Sequence, residues 1–141
     1  MGQPVSNVSS LRLYPVWLYW RMSIDRPDID ALLPLPPATF HILVALADQP
    51  RHGYAIIQDV EERTDGELRL SAGTLYRSIA RMVEQGLITE VAKRPAIHLD
   101  DARRRYYRIT PLGTAAARAE MARLTQLVRL ARARGLTPEI P

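Results

Sequence analysis

From Pro111 to Arg134 the sequence reads as one long helix. Thr110 is placed to cap it, Pro111 takes the first helical position, and Gly135 stops it. At 1.5 Å per residue such a helix is roughly 36 Å long. Leu112, Ala116, Ala119, Leu124, Leu127, Val128 and Ala131 form an apolar stripe along it, while Arg118, Arg123, Arg129, Arg132 and Arg134 fall largely elsewhere. One small domain cannot cover a stripe of that length. The pattern therefore predicts pairing with a second copy of the chain, the alternative being a helix folded back on its own domain.

The 141 residues leave room for one core and a terminal extension. Pro37 fits a first helical turn, with Phe40, Leu43, Val44 and Ala47 at helical spacing and Asp48-Gln49-Pro50 as the stop. A second helix is predicted over 53–64, with Tyr54, Ile57 and Val60 on one side. Ser71 caps a third, whose stripe is Leu75, Ile79, Met82 and Val83 and whose end is Gly86. Residues 87–91 and 104–109 read as two strands of a hairpin around a polar loop broken by Pro95. The predicted class is mainly α with a small β-hairpin: a winged helix-turn-helix domain over 37–110, a dimerisation helix over 111–134, and a tail over 135–141.

Residues 1–36 differ from the rest. The cluster Pro34-Leu35-Pro36-Pro37 and Pro27 forbid a long helix. Trp17, Trp20, Tyr14 and Tyr19 all lie between Leu11 and Trp20, and pack on the domain or on a partner in our reading. The segment is assigned as an N-terminal extension, and translation starting at Met22 is an alternative. Its apolar run, Leu13 to Trp20, is interrupted by Pro15 and is far shorter than the ~20 residues of a membrane span. It lacks the basic start and cleavage site of a signal peptide. The expectation is a soluble cytoplasmic protein with no membrane partner.

Charge is distributed unevenly. Residues 93–134 hold eleven basic residues against three acidic ones, whereas residues 1–92 are slightly acidic. A one-sided cationic surface suggests a polyanionic partner, nucleic acid before anionic membrane. Three short helices and a hairpin are the plan in which the third helix enters the DNA major groove and the wing loop follows the backbone. Ser71, Thr74, Tyr76, Arg77 and Arg81 lie off the third helix's apolar stripe. Gly73 leaves backbone amides near the helix start open to a phosphate. Arg77 is suited to a bidentate contact with guanine. Lys93, Arg94, Arg103, Arg104 and Arg105 make the wing a phosphate-binding surface. His52 is assigned a structural or phosphate-contacting role, with Tyr54 beside it.

Four co-linear motifs carry a resemblance. His52-Gly53-Tyr54-Ala55-Ile56, Ser71-Ala72-Gly73-Thr74-Leu75-Tyr76, Glu84-Gln85-Gly86-Leu87-Ile88 and Arg105-Tyr106-Tyr107-Arg108-Ile109-Thr110-Pro111-Leu112-Gly113 stand in the order and spacing of the PadR family. The sequence resembles that family of bacterial transcriptional regulators over roughly residues 38–134. The resemblance implies a homodimeric repressor acting on palindromic double-stranded DNA, with Ser71, Thr74, Tyr76 and Arg77 nearest the DNA. Many relatives carry proline where this chain has Arg77. A single C-terminal helix resembles the family's small subgroup. The resemblance carries nothing over to residues 1–36; release of the repressor by a small aromatic effector is a separate expectation, in which Trp17 and Trp20 stack on a planar ligand, packing on the body or the partner being the favoured role for them.

Enzyme chemistry finds little support. There are no cysteines, so thiol nucleophiles, disulfides and cysteine-ligated metals are excluded. Glu61-Glu62 and Asp100-Asp101 are sequence neighbours whose side chains point apart, which rules them out as acid–base pairs. His98 with Asp100 and Asp101 reads as a solvated turn, and neither cofactor nor metal is expected. A winged-helix module for protein–protein assembly is the competing function, but it has no need of a cationic wing.

Overall fold

The computed structural model describes residues 28–91 and 105–139. A 3-10 turn, η1 (Ile29–Leu32), is followed by α1 (Pro37–Ala45), β1 (Arg51–His52), α2 (Gly53–Arg63), α3 (Ala72–Glu84), β2 (Ile88–Glu90), β3 (Tyr106–Ile109) and α4 (Pro111–Ala133). The hairpin expected from the sequence is the larger part of a three-stranded antiparallel sheet of order β1-β3-β2. Thr89 pairs with Arg108, Glu90 with Tyr107, and β1 adds Arg51 opposite Tyr107 and His52 opposite Tyr106. A two-residue strand has no hydrophobic period of its own, so β1 exists only through β3.

Helix boundaries follow local chemistry. Pro37 opens α1. The hydroxyl oxygen of Ser71 accepts from the amide of Thr74 at 3.1 Å and caps α3, which ends in Gly86 at φ 79° with the Leu87 amide donating to Met82 O. Thr110 caps α4 in the same way, its oxygen accepting from the amide of Gly113 at 3.0 Å.

The core is built from Ile42, Leu43, Leu46, Ile56, Val60, Leu75, Ile79, Met82, Leu87 and Ile88. Three expected helix faces are corrected. In α1 the buried set is Thr39, Ile42, Leu43 and Ala45 rather than Phe40, Leu43, Val44 and Ala47; this helix is apolar on almost every side, so its phase is set by its neighbours. In α2 the buried positions are Gly53, Ile56 and Val60, and Tyr54 stands 61% exposed. Val83 at the end of α3 is 42% exposed, outside the stripe of Leu75, Ile79 and Met82.

Residues 29–35 lie against the body. η1 packs on α4, and Leu35 is buried in the core cluster. The Leu35 amide donates to Glu120 Oε1 at 3.3 Å, while Arg123 Nε and Nη2 donate to Oε1 and Oε2 at 2.9 and 2.7 Å. Glu120 is buried. The Arg123 hydrogen bonds, aided by the Leu35 amide, outweigh desolvation and hold its carboxyl below the ordinary value of 4.5. Because the folded value is the lower one, this carboxylate stabilises the fold fully above about pH 4.5, and the contribution drains away as pH falls through the folded value. We expect Glu120→Gln to flatten the acid side of a melting-temperature-versus-pH profile. An unchanged slope below pH 4.5 would refute the assignment.

Candidate nucleic-acid interface

Two motifs meet where α2 begins. His52 caps α2, its Nδ1 accepting from the amide of Ala55 at 3.2 Å, and its ring stands edge-on to Tyr106 with centroids 5.3 Å apart. The next residue, Gly53, is buried under α3. A Cβ there would lie 2.5 Å from the Tyr76 hydroxyl and 3.2 Å from Leu75 Cδ2. Only glycine lets the phenol of Tyr76 rest on the start of α2, and any side chain at 53 would push that phenol outward. The histidine–glycine pair is thus the seat for α3.

The outer face of α3 carries the predicted group. Ser71, Gly73, Arg77 and Arg81 are exposed, Thr74 is half-buried, and Tyr76 is 53% exposed. Space above Gly73 is open, with nothing within 4 Å of a built Cβ. The Ser71 hydroxyl donates to Thr74 Oγ1 at 3.1 Å while it caps the helix, so its first duty is structural. Among the described residues neither Arg77 nor Arg81 has a carboxylate partner. By contrast Arg51, in β1, is engaged: its Nε donates to Ala45 O at 2.7 Å and it pairs with Asp48 and Asp59.

On the sheet, the two tyrosines divide as alternation requires. Tyr107 is buried, and burial, then Glu90, raise its phenol above 10.0, with Tyr76 adding to the rise and Arg105 opposing it. Tyr106 is half-buried against His52. Arg105 is exposed at the root of the wing, and Lys93, Arg94, Arg103 and Arg104 lie outside the described residues. His52 and Gly53 thus join the start of α2 to Tyr106 of β3 and Tyr76 of α3, and Arg105 interacts with Tyr107 on the same sheet.

The predicted dimer stripe splits in two. Ala116 is fully enclosed in its own chain's core and Leu112 packs against that core, so Ala116 offers no surface to a partner. Ala119 and Ala131 are half-buried, and Leu124, Leu127 and Val128 are exposed. Met121, also exposed, was missed. Its signal was the alternating four- and three-residue spacing of Ala117, Met121, Leu124, Val128 and Ala131. The described depression lined by Gln58, Glu61, Glu62, Asp65 and Gly66 is polar and acidic, chemistry unlike that of an aromatic ligand's seat.

The transcriptional regulator PadR-like family matches residues 42–119, more than half of the chain. The chain belongs to the PadR-like family. That family consists of transcriptional regulators rather than enzymes. A transcriptional regulator of Mycobacterium tuberculosis is 35% identical over 89 residues, 63% of this chain and 77% of that protein. An uncharacterized protein of Lysinibacillus sphaericus is 32% identical over 74 residues, 52% of this chain and 65% of that one, so the match spans just under two-thirds of its length. Among solved structures, a PadR family regulator of Clostridium difficile superposes with a TM-score of 0.59 at 23% identity, covering 70% of this chain and 97% of that one. The Bacillus subtilis PadR in complex with operator DNA superposes at 0.53 with 16% identity, over 75% of this chain and 52% of that one. At those identities the likeness establishes the winged helix-turn-helix fold of a PadR-like protein, with its long C-terminal helix. Among the described residues no helix is long and apolar enough to cross a membrane.

Proposed function

We propose that this PadR-like protein is a homodimeric repressor that binds a palindromic operator through α3 and the wing. The observation that carries the reading is the outer face of α3. Arg77 and Arg81 project from a capped, rigidly seated helix with no carboxylate among the described residues to neutralise them, a poor arrangement for stability and a good one for guanine edges and phosphates. Tyr76 shares the helix with them and rests on the start of α2 that His52 caps, and the basic residues of 93–105 extend the cationic character in sequence. A PadR bound to operator DNA shares the fold, which supports this use of it.

Dimerisation follows from α4. Beyond Glu120 the helix leaves its own body, and Met121, Leu124 and Val128 repeat at coiled-coil spacing on its exposed side. Two such helices packed together would present two copies of α3 to half-sites about one helical turn apart. Repression is the part of the proposal that rests on family resemblance, and release by a small aromatic effector rests on the aromatic residues Trp17 and Trp20.

A titration of the protein against fluorescent DNA from its own promoter region tests this. Arg77→Ala and Arg81→Ala should each lower affinity for the specific site about tenfold, on the order of 1.4 kcal/mol, while melting temperature and dimer mass stay unchanged. Unaltered affinity in both variants, or absence of any promoter binding, would favour an assembly module instead.

A further inference from the structure

Arg51, Arg63, Arg69 and Arg123 are each held by a carboxylate. Arg105 is held differently. It is exposed, and among the described residues it forms no ion pair. Its partner is a phenol: Arg105 acts on the Tyr107 side chain both by hydrogen bonding and by charge.

The sheet accounts for the contact. Side chains two apart along a strand share a face, and residues directly opposite on antiparallel neighbours share it too. Arg105 directly precedes β3, two residues before Tyr107, whose cross-strand partners are Arg51 in β1 and Glu90 in β2. Tyr107 is 6% exposed, so packing fixes its ring. Burial, then the charge of Glu90, raises the phenol above its ordinary 10.0 despite Arg105, which keeps it neutral at physiological pH. A carboxylate in that place would cancel the charge of the arginine it held. A neutral phenol restrains a side chain rich in rotamers and leaves its full charge for another anion.

We infer that Tyr107 is a positioning residue for DNA binding: its phenol holds Arg105 at the start of β3, ordered and uncompensated, for a backbone phosphate. The inference rests on the repressor reading for the identity of the polyanion, and not for the contact itself.

Tyr107→Phe removes the oxygen and keeps the ring. The probe is a fluorescent duplex of random sequence, because a phosphate contact serves every sequence. We expect Tyr107→Phe to weaken binding about two- to tenfold, the worth of one hydrogen bond. It should lower the salt slope in the same direction as Arg105→Ala, with far-UV circular dichroism and dimer mass unchanged. In the Arg105→Ala background, Tyr107→Phe should cost nothing further. A tyrosine that merely supports the fold would cost as much in either background. That equal loss overturns the inference, as does unchanged affinity in the single variant. NMR of the Arg105 Nε–H, assigned by its absence in Arg105→Ala, tests the contact without DNA. Its exchange with water should quicken severalfold in Tyr107→Phe, and an unchanged rate overturns the inference. Quickened exchange in a protein that binds no duplex supports the contact and overturns the repressor reading instead.

Discussion

Gly113→Ala should cost about 3 kcal/mol or more and lower the melting temperature by more than about 10 °C. Gly113 is buried where α4 begins. A Cβ there would run into the carbonyl oxygen of Leu87 and lie 2.9 Å from Ile109 Cγ1 and 3.1 Å from Leu87 C. Two of these three atoms are backbone and cannot rotate away. They are also held in place: the Thr110 hydroxyl donates to Gly86 O at 2.6 Å and Leu87 O at 3.0 Å, and the Thr110 amide donates to Leu87 O at 3.1 Å. Relief would require parting α4 from the α3–β2 turn. Gly73→Ala is the natural comparison, because the space above Gly73 is open and the site is helical. It should stabilise by roughly 0.5–1 kcal/mol. Thermal melts of the two variants should move in opposite directions, and a Gly113→Ala melt within two degrees of the parent would show that the junction is softer than its geometry implies.

Operator affinity should fall about a thousandfold or more between 50 and 200 mM salt, as expected when roughly six or more phosphates are neutralised. Arg77, Arg81 and Arg105 are exposed on the face that would meet DNA. Lys93, Arg94, Arg103 and Arg104 add to the wing in sequence, and a dimer doubles the set. Each cation that meets a phosphate releases counterions, so the logarithm of affinity falls linearly with the logarithm of salt, by about 0.9 per phosphate. Arg105→Ala should reduce that slope by one to two units per dimer and weaken all sequences alike, whereas a base-reading Arg77 should affect the specific site most. A slope near zero would remove the electrostatic basis of the proposed function.

What the sequence made legible was mostly local. Pro37, Ser71 and Thr110 marked helix starts because capping and fixed φ act within a turn, and each helix begins where its signal stands. The phase of α1 was hidden because nearly every residue from Ala38 to Ala45 is compatible with a core. Strand β1 was hidden because Arg51 and His52 become a strand only when Tyr106 and Tyr107 arrive from over fifty residues away. Along α4, spacing revealed a stripe but not where the domain ends, so Ala116 and Leu127 looked equivalent although one is enclosed and the other exposed. The α3 face was legible as a set of residues. Its seating on Gly53 was not, because a glycine in a motif does not announce which side chain occupies the space it leaves.

The bonds around Thr110 make one rigid joint of three parts: the end of α3, the start of β2 and the root of α4. With α4 about 34 Å long, that joint is the fulcrum of a lever. A tilt of a few degrees at the joint sweeps the far end of α4 by about 2–3 Å, and in the proposed dimer a partner clamped to that far end would carry its own fulcrum and its own α3 with it. In the proposed dimer the spacing between the two copies of α3 is then a geared quantity, readable in how the preferred operator spacing changes when Leu124 in the seam is replaced.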